Sequence, residues 1–196
     1  MADTRTLPVA SDLLNFLRSL RAVRQFRPEA IPPRVLDQIL EVARWTGSSM
    51  NRQPWELLVV RDRATLEALA AAGGYVQHLA GATLAIVIVM AGEHPVEETF
   101  DEGRLSERIM LAAKAQGLGA ALGWFQPQAA ETRAKEILGV PLERTLRSAI
   151  SLGYPNLEAQ RGRPKPPQPR KPLADFVYEE HFGHRPGDAP SNAPPQ

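Results

Sequence analysis

The chain has 196 residues, of which 43% are hydrophobic and 23% are charged, a composition typical of a globular protein with a buried core. Its 23 basic and 22 acidic residues leave a formal charge of +1, so no overall field favours nucleic acid or an anionic membrane as a partner. The chain has no cysteine, which excludes disulfides, thiolate nucleophiles and sulfur-ligated metals and fits a cytoplasmic location.

Patterns in the first third of the chain predict two helices and a strand. Ser11 is a candidate N-cap, and apolar residues at helical spacing predict a first helix that runs to about Arg21. The prolines at 32 and 33 suit the first turn of a second helix that ends near Gly47. Residues 56–60, ELLVV, predict a strand.

The middle of the chain predicts further helices and strands in alternation. Asp62 can cap a helix through residue 72, which the glycines at 73 and 74 end. The continuously apolar residues 83–90 predict a strand covered on both faces, and they are far fewer than the roughly 20 that a membrane-spanning helix needs. A short loop at residues 92–100 then leads to a helix over residues 101–116.

The last third predicts two more strands, at 120–125 and 148–154, on either side of a helix that Pro127 opens. Six prolines between 155 and 172 predict an extended arm with little regular structure. Residues 173–182 predict a last short helix or strand, and residues 184–196 a disordered tail. Helices and strands are interleaved, which predicts an α+β or α/β class in three layers.

Two polar stretches are candidate binding elements. RAVRQF, residues 21–26, places Arg21 and Arg24 three apart, so on a helix they would share a face and could clamp a phosphate; solvated cations at a helix end are the simpler interpretation. SSMNRQ, residues 48–53, offers donors and acceptors that suit the edge of a heterocycle. Helix capping followed by a turn explains the second stretch equally well.

Other stretches carry less chemistry. GLGAALG, residues 117–123, is spaced like a dinucleotide-binding loop, but a helix precedes it and a strand follows, which is the wrong order. Its glycines are better explained as a helix cap and as points of close backbone approach. Arg170 and Lys171 lie between prolines, as in a solvated linker. The four histidines form no convincing metal site, and no catalytic Ser/His/Asp order is present.

In combination, these stretches resemble the FMN-dependent nitroreductase family. RAVRQF resembles the family's Arg-Ser-x-Arg-x-Phe element, and GSSMNRQPW, residues 47–55, resembles its Pro-Ser-x-x-Asn-x-Gln-Pro-Trp element. GLG at 117–119, LGYP at 152–155 and RKPL at 170–173 follow in the family's order. The resemblance implies a nitroreductase-like domain over residues 12–183, including the Pro-rich arm, after an N-terminal extension of residues 1–11.

The resemblance also implies a fold and a set of site residues. The fold is an α+β, three-layer α/β/α sandwich with a central, mainly antiparallel sheet, built as an intertwined homodimer with FMN at the interface. Backbone amides near Gly123 and Trp124 would support the reacting edge of the flavin, so no catalytic side chain is expected. The other FMN-binding positions are Arg21, Ala22, Arg24, Ser48, Ser49, Met50, Asn51, Gln53 and Arg170, with the polar stretch coming partly from the second subunit.

Two positions depart from the family pattern. Ala22 stands where the family usually has Ser, which removes a hydroxyl contact worth about 0.5–1.5 kcal/mol where it is made. Gly47 stands where the family usually has Pro, which loosens the start of the polar stretch.

The function that the resemblance implies is reduction of electron-poor small molecules, such as nitroaromatics or quinones, with NADH or NADPH as donor and ping-pong kinetics. Two alternatives remain: another branch of the superfamily, performing flavin fragmentation or reductive dehalogenation, and a non-catalytic flavin carrier or interaction protein. Those other branches close lid residues over the substrate. Because the segments at 75–78 and 92–100 are short, an open and promiscuous pocket is expected.

Overall fold

The structure, a computed structural model, describes residues 10–161 and 169–187. The chain divides after Arg161 into two units. The first unit contains the sheet and its covering helices. The second, as far as it is described, contains one 3-10 turn, Leu173–Asp175. The domain limits expected from the sequence remain a prediction.

Four strands form one antiparallel sheet in the first unit. They are β1 (Trp55–Val60), β2 (Leu84–Met90), β3 (Gly119–Trp124) and β4 (Thr145–Gly153). Their order is β1-β2-β4-β3, so β1 and β3 are the two edges. Leu57 lies opposite Ile88, and Leu122 lies opposite Ile150. The sheet is wholly antiparallel, which confirms the α+β class.

Helices cover both faces of the sheet. The helices are α1 (Ala10–Arg18), α2 (Pro33–Arg44), α3 (Arg63–Ala71), α4 (Pro95–Ala115), α5 (Gln128–Leu138) and α6 (Leu157–Arg161). Ile39 of α2 and Ile109 of α4 pack in one core with Ile86, whereas Leu66 of α3 and Ala134 of α5 pack in the other with Val87. The three-layer arrangement is therefore confirmed.

Strand β2, which lies within the apolar residues 83–90 of the sequence, packs against helices on both of its faces. All seven of its residues are buried. Ile86 and Ile88 belong to the core with α2 and α4, while Ala85, Val87 and Val89 belong to the core with α3 and α5. Alternate side chains of a strand point to opposite faces, so a strand apolar on both faces must lie between two helical layers.

Several helix boundaries differ from the sequence-based expectation. Ser11 lies inside the first helix, which begins at Ala10, and is not its N-cap, and α2 ends at Arg44 rather than near Gly47. The first helix ends at Arg18 rather than near Arg21, and α4 begins at Pro95 rather than at residue 101. The Glu98 carboxylate accepts hydrogen bonds from the N–H groups of Gly92, Glu93 and His94, at 2.8 to 3.0 Å, which satisfies the amides that precede the helix. Most of the expected loop at residues 92–100 is therefore helical.

Other expectations are met or fall partly outside the described residues. Asp62 caps α3, as predicted, by accepting the N–H of Thr65 at 2.8 Å. The expected extended arm begins with the short helix α6, and its residues 162–168 lie outside the described ranges, as do residues 188–196 of the expected tail. Across the part of the chain that the structure describes, no helix is long and apolar enough to cross a membrane.

A buried ion pair ties α5 to β4. Lys135 Nζ lies 2.9 Å from Glu131 Oε1, and the two side chains are only 6% and 9% exposed. Glu131 also accepts the N–H of Leu146 at 2.9 Å, and Lys135 donates to the carbonyl of Leu142 at 3.1 Å. Each charge is thus desolvated but has partners, an arrangement that penalises removal of one member.

We expect Lys135→Met to lower the free energy of unfolding by about 3–5 kcal/mol, because it leaves the Glu131 carboxylate buried without its cation. Urea unfolding at pH 7 and fixed protein concentration measures the change. The matched control is Arg44→Met, which breaks the Arg44–Glu41 helical pair at 2.7 Å on the exposed surface and should have no measurable effect. Equal losses in the two variants would contradict the assigned role of burial.

Candidate functional site

Residues 21–26, the arginine segment, follow the edge of the sheet outside any helix. Val23 donates its N–H to the carbonyl of Ala120 in β3 at 2.8 Å, and Phe26 forms a β-bridge with Pro155 beyond β4. The expectation that Arg21 and Arg24 share a helix face is therefore wrong. Their side chains are instead placed by main-chain pairing to the sheet, and both are exposed.

Two glycines allow the arginine segment to lie directly on the sheet. A Cβ atom at Gly119 would lie 2.5 Å from Val23 Cγ1, and one at Gly153 would lie 2.9 Å from the Phe26 side chain. Both distances are too short for any side chain. The expectation that the GLG stretch serves close backbone approach agrees with this contact at Gly119.

Strand β3 is only partly covered along its outer edge. Val23 pairs with Ala120 at one end, and the N–H of Tyr75 donates to the carbonyl of Trp124 at 2.8 Å at the other. Alternate residues of an antiparallel strand point their N–H and C=O groups to opposite sides, so Leu122 also points outward. Among residues 10–161, no hydrogen bond reaches the outward groups of Leu122 or the N–H of Trp124. We call residues 122–124 the open edge.

The two amides expected near the reacting edge of a flavin point in different directions. The N–H of Phe125 donates to the carbonyl of Arg147 in the strand next to β3, so Gly123, two residues earlier, also points toward β4 and lies opposite Ala149. The N–H of Trp124 points away from β4. Of these two amides, the Trp124 N–H is therefore the one that faces the open edge.

A cleft of about 280 Å³ adjoins the arginine segment and the start of β3. It is lined by Ser19, Leu20, Arg21, Val23, Met110, Lys114, Gly117, Leu118, Gly119, Ala120 and Pro155. Arg21 Nη1 donates to the carbonyls of Arg18 and Leu20, each at 2.7 Å, and Lys114 Nζ donates to Ser19 Oγ. Two cations therefore face one small cleft next to the open edge.

The polar loop, residues 48–53, holds an unusual backbone conformation. Met50, Asn51 and Gln53 have φ values of 51°, 55° and 51°. Each non-glycine residue in this left-handed region costs roughly 1–3 kcal/mol, although Asn tolerates it better than most. Ser48 Oγ accepts the N–H of Gln53 at 2.8 Å and closes the loop on itself. The Ser48 side chain thus stabilises a turn, as the cap-and-turn interpretation expects, but within the described residues it caps no helix.

One copy of the chain does not gather all of the predicted site residues. Arg21, Ala22, Arg24, Gly123 and Trp124 lie on or beside β3. The polar loop leads directly into β1, which is the opposite edge of the sheet. Arg170 is exposed within the second unit. A site that used all of these residues would need the polar loop of another copy.

Helix α4 carries a row of buried acids that were not among the residues predicted from the sequence. Glu98, Asp101 and Glu102 are 2%, 3% and 4% exposed. Their spacing with Leu105 and Ile109 places them on the helix face that packs inward, and that spacing is the signal that could have found them. Asp101 accepts the N–H of Ser49 in the polar loop at 3.1 Å.

Two of these acids have pKa values that are shifted in opposite directions. Burial is the largest influence on Glu102 and raises its pKa, although the hydroxyl of Ser148 and the Arg147 guanidinium partly oppose it. Burial also acts on Glu98, but the three backbone N–H groups that its carboxylate accepts outweigh it and lower the pKa. The backbone amides around Glu98 therefore favour its charged form, whereas burial disfavours the charged form of Glu102.

Comparisons with known proteins agree with this architecture. A sequence model of the nitroreductase family matches residues 17–74. A protein of Archaeoglobus fulgidus, provisionally named an NADH dehydrogenase/NAD(P)H nitroreductase, is 30% identical over 152 residues, which cover 75% of this chain and 87% of the relative. A protein of Thermus thermophilus named NADH dehydrogenase is 29% identical, with 81% of this chain and 92% of the relative covered.

Solved structures share the fold. An FMN-dependent nitroreductase from Clostridium difficile superposes with a TM-score of 0.75 at 27% identity, over 86% of this chain and 99% of its own. The NADPH:FMN oxidoreductase of Vibrio harveyi, solved in complex with NAD+, gives a TM-score of 0.72 at 20% identity, over 86% of this chain and 77% of its own.

We expect Glu102→Gln to stabilise the protein progressively as pH rises above 4.5, the ordinary value of a Glu carboxyl. Because the folded-state pKa of Glu102 is raised, the folded protein binds more protons above pH 4.5, and wild-type stability is lost as pH rises through the folded pKa. The amide of Gln has no such proton to lose and still accepts from Ser148.

Urea unfolding of both proteins across the pH range measures this difference. Glu98→Gln is the control of opposite sign. Because the folded-state pKa of Glu98 is lowered, its contribution to the free energy of unfolding is present at neutral pH and is lost as pH falls. The Glu98→Gln variant should therefore be most destabilised at neutral pH. A Glu102→Gln difference that stays constant with pH would contradict the assignment.

Proposed function

Because the chain belongs to the nitroreductase family, we propose that it is an FMN-dependent oxidoreductase that uses NADH or NADPH to reduce electron-poor small molecules, such as nitroaromatics or quinones. The observation that carries this proposal is the outward N–H of Trp124 on the open edge of β3, beside a cleft that Arg21 and Lys114 line. The donors suit a flat heterocycle that ends in a phosphate.

The cationic cleft supplies the phosphate end of the proposed site. Guanidinium and ammonium groups bind a phosphate through charge-assisted hydrogen bonds, which are stronger than neutral ones. Arg21 is exposed and donates to the carbonyl oxygens of Arg18 and Leu20, so it can exchange those partners for a phosphate. Arg24 provides a further exposed cation in the arginine segment, and we include Arg170 as the contribution of the arm.

The open edge supplies the ring end. Bound FMN provides the hydride chemistry, which the side chains of this protein cannot. The Trp124 N–H would donate a hydrogen bond to the ring and would stabilise negative charge on the reduced form, so no acidic side chain is required. By strand alternation, Leu122 and Trp124 lie on the same face as Ala120, and at 37% and 38% exposed they offer an apolar ledge for a flat ring.

The position of the polar loop supports a homodimer. Within one copy, this loop and the open edge belong to opposite edges of the sheet. A second copy can bring its Ser48, Ser49, Asn51 and Gln53 to the ring, with donors and acceptors in the mixture that a heterocycle edge requires. Leu13, Leu14 and Leu17 of α1 are 43% to 50% exposed, which gives apolar surface for such an interface.

One site would then serve donor and acceptor in turn. Reduced nicotinamide and the electron-poor acceptor both need the exposed side of the same ring, so they exclude each other and the kinetics are ping-pong. The cysteine-free composition fits a reducing cytoplasm. Turnover with nitroaromatics or quinones, set against fragmentation of flavin or dehalogenation of a halogenated ring, separates this activity from the other branches.

We expect the purified protein to be yellow and to lose its flavin absorbance when NADH or NADPH is added anaerobically. Arg21→Ala should weaken FMN binding about 10- to 100-fold, because it removes a charged hydrogen-bond donor. The matched control is Arg61→Ala, an exposed arginine that follows β1 at the opposite edge of the sheet. A yellow protein that stays oxidised would favour a flavin carrier, and one that rejects FMN would overturn the function.

The direction of the Trp124 amide gives a second prediction. Trp124→Pro removes the outward N–H without disturbing the pairing of β3 with β4, since proline is tolerated on the outer side of an edge strand. Trp124→Val removes the same indole but keeps the N–H. Anaerobic stopped-flow reduction should therefore be about 10²- to 10³-fold slower in the proline variant than in the valine variant. Similar rates would show that another donor supports the ring.

A further inference from the structure

We propose that Asp101 is a positioning residue that holds the polar loop in its binding conformation, with Arg104 and Gly47 as its accessories. The inference rests on the proposed function, because it concerns the loop assigned to the flavin ring. It adds to that function a buried residue that touches neither cofactor nor substrate and acts only through the loop.

Asp101 connects the polar loop to a rigid element. Its carboxylate is buried, and its two oxygens have separate partners: Oδ2 accepts the N–H of Ser49 at 3.1 Å, and Oδ1 lies 3.3 Å from Arg104 Nη1. Leu105 and Ile109, on the same face of α4, are fully buried and fix this helix against the sheet. The carboxylate therefore transmits the position of α4 to the start of the loop.

Gly47 leaves room for the second partner of Asp101. A Cβ atom at this position would lie 2.6 Å from Arg104 Nη2, so the guanidinium rests directly against the backbone before the loop. A proline here would restrain the loop covalently through its fixed φ, whereas glycine removes that restraint. The Asp101–Arg104 pair occupies the space that the missing side chain leaves, and it supplies the restraint from outside the loop.

The loop needs such a restraint because three of its residues are strained. Met50, Asn51 and Gln53 have positive φ, and the contact of Ser48 Oγ with the Gln53 N–H is internal to the loop. Arg52 Nη2 also contacts Met50 Sδ within it, at 3.2 Å. The Ser49–Asp101 hydrogen bond instead joins the loop to α4. Without it, the loop would populate relaxed conformations, and apparent ligand affinity would fall with the populated fraction of the competent one.

The test compares two buried acids on the same helix. Asp101→Ala removes the acceptor of the Ser49 N–H, and Glu98→Ala removes a carboxylate of similar burial that accepts N–H groups of residues 92–94 instead. FMN affinity of the stripped protein, measured by quenching of flavin fluorescence, should fall about 10- to 100-fold in Asp101→Ala. Asp101→Asn should lose less, because its amide oxygen still accepts from Ser49.

The Glu98→Ala variant should lose thermal stability while it keeps wild-type FMN affinity. At saturating FMN, kcat of Asp101→Ala should recover toward wild type, since a positioning residue acts on binding and not on the reacting atoms. Wild-type affinity in Asp101→Ala, or an equal loss in both alanine variants, overturns the proposal. Gly47→Ala and Arg104→Ala, at exposed or half-buried positions, repeat the test if Asp101→Ala does not fold, and both should weaken FMN binding severalfold.

Amide hydrogen exchange separates this inference from the proposed function. The Ser49 amide should exchange at least about tenfold faster in Asp101→Ala than in wild type or Glu98→Ala, whether or not FMN binds. If wild-type protein rejects FMN, the proposed function fails, but unchanged or accelerated exchange at Ser49 still decides whether Asp101 holds the loop.

Discussion

The unsatisfied outer edge of β3 is the constraint on which the rest of the site depends. An edge strand presents N–H and C=O groups that must find partners in the protein, in solvent or in a ligand. Here the arginine segment pairs with one end of the edge and Tyr75 with the other, which leaves a gap only a few residues long. Both neighbours also protect the edge from indiscriminate pairing with other strands, so the remaining N–H groups are open to a small ligand and not to another sheet.

Helix α4 contributes charged side chains both to the cleft near this edge and to the interior of the protein. Its C-terminal half carries Lys114 at the cationic cleft, and its first half carries three acids in a row. Each acid has its own donors: backbone amides for Glu98, Ser49 for Asp101 and Ser148 for Glu102. Burial raises the pKa of Glu102 more than its donors lower it, whereas burial also acts on Glu98 but three backbone N–H groups outweigh it and lower the pKa.

Local patterns in the sequence were sufficient for most of the fold. The apolar run at 83–90 could only be a strand covered twice, and Asp62 was recognisable as a helix cap from its neighbours alone. The start of α4 was not recognisable, because the amides that precede it are satisfied by a glutamate that lies inside the helix. The arginine segment was misassigned because two arginines three apart fit a helix, and the contact with β3 that makes the segment extended joins residues far apart in the sequence.

The candidate site likewise depends partly on local sequence and partly on contacts between distant residues. Residue types and their order were enough to propose which stretches form it, and that proposal stays a prediction, whereas the direction of each amide depends on strand register. Gly123 and Trp124 are adjacent in sequence, yet they face opposite sides of β3, and only pairing with β4 determines which one faces outward. The role of Asp101 could not be predicted either, since its partner is the backbone of Ser49 and backbone N–H groups carry no sequence signature.

The contacts of Val23 with Gly119 and of Phe26 with Gly153 have one more consequence. The side chains of Val23 and Phe26 lie directly against the backbone of these two glycines, so the distance between the cleft and the Trp124 amide depends on contacts that leave no room for a side chain at either glycine. These contacts fix that distance, and most substitutions around them should leave it unchanged. A single methyl group on either glycine would push the arginine segment away from the sheet, and the distance between its cations and the Trp124 amide would then increase.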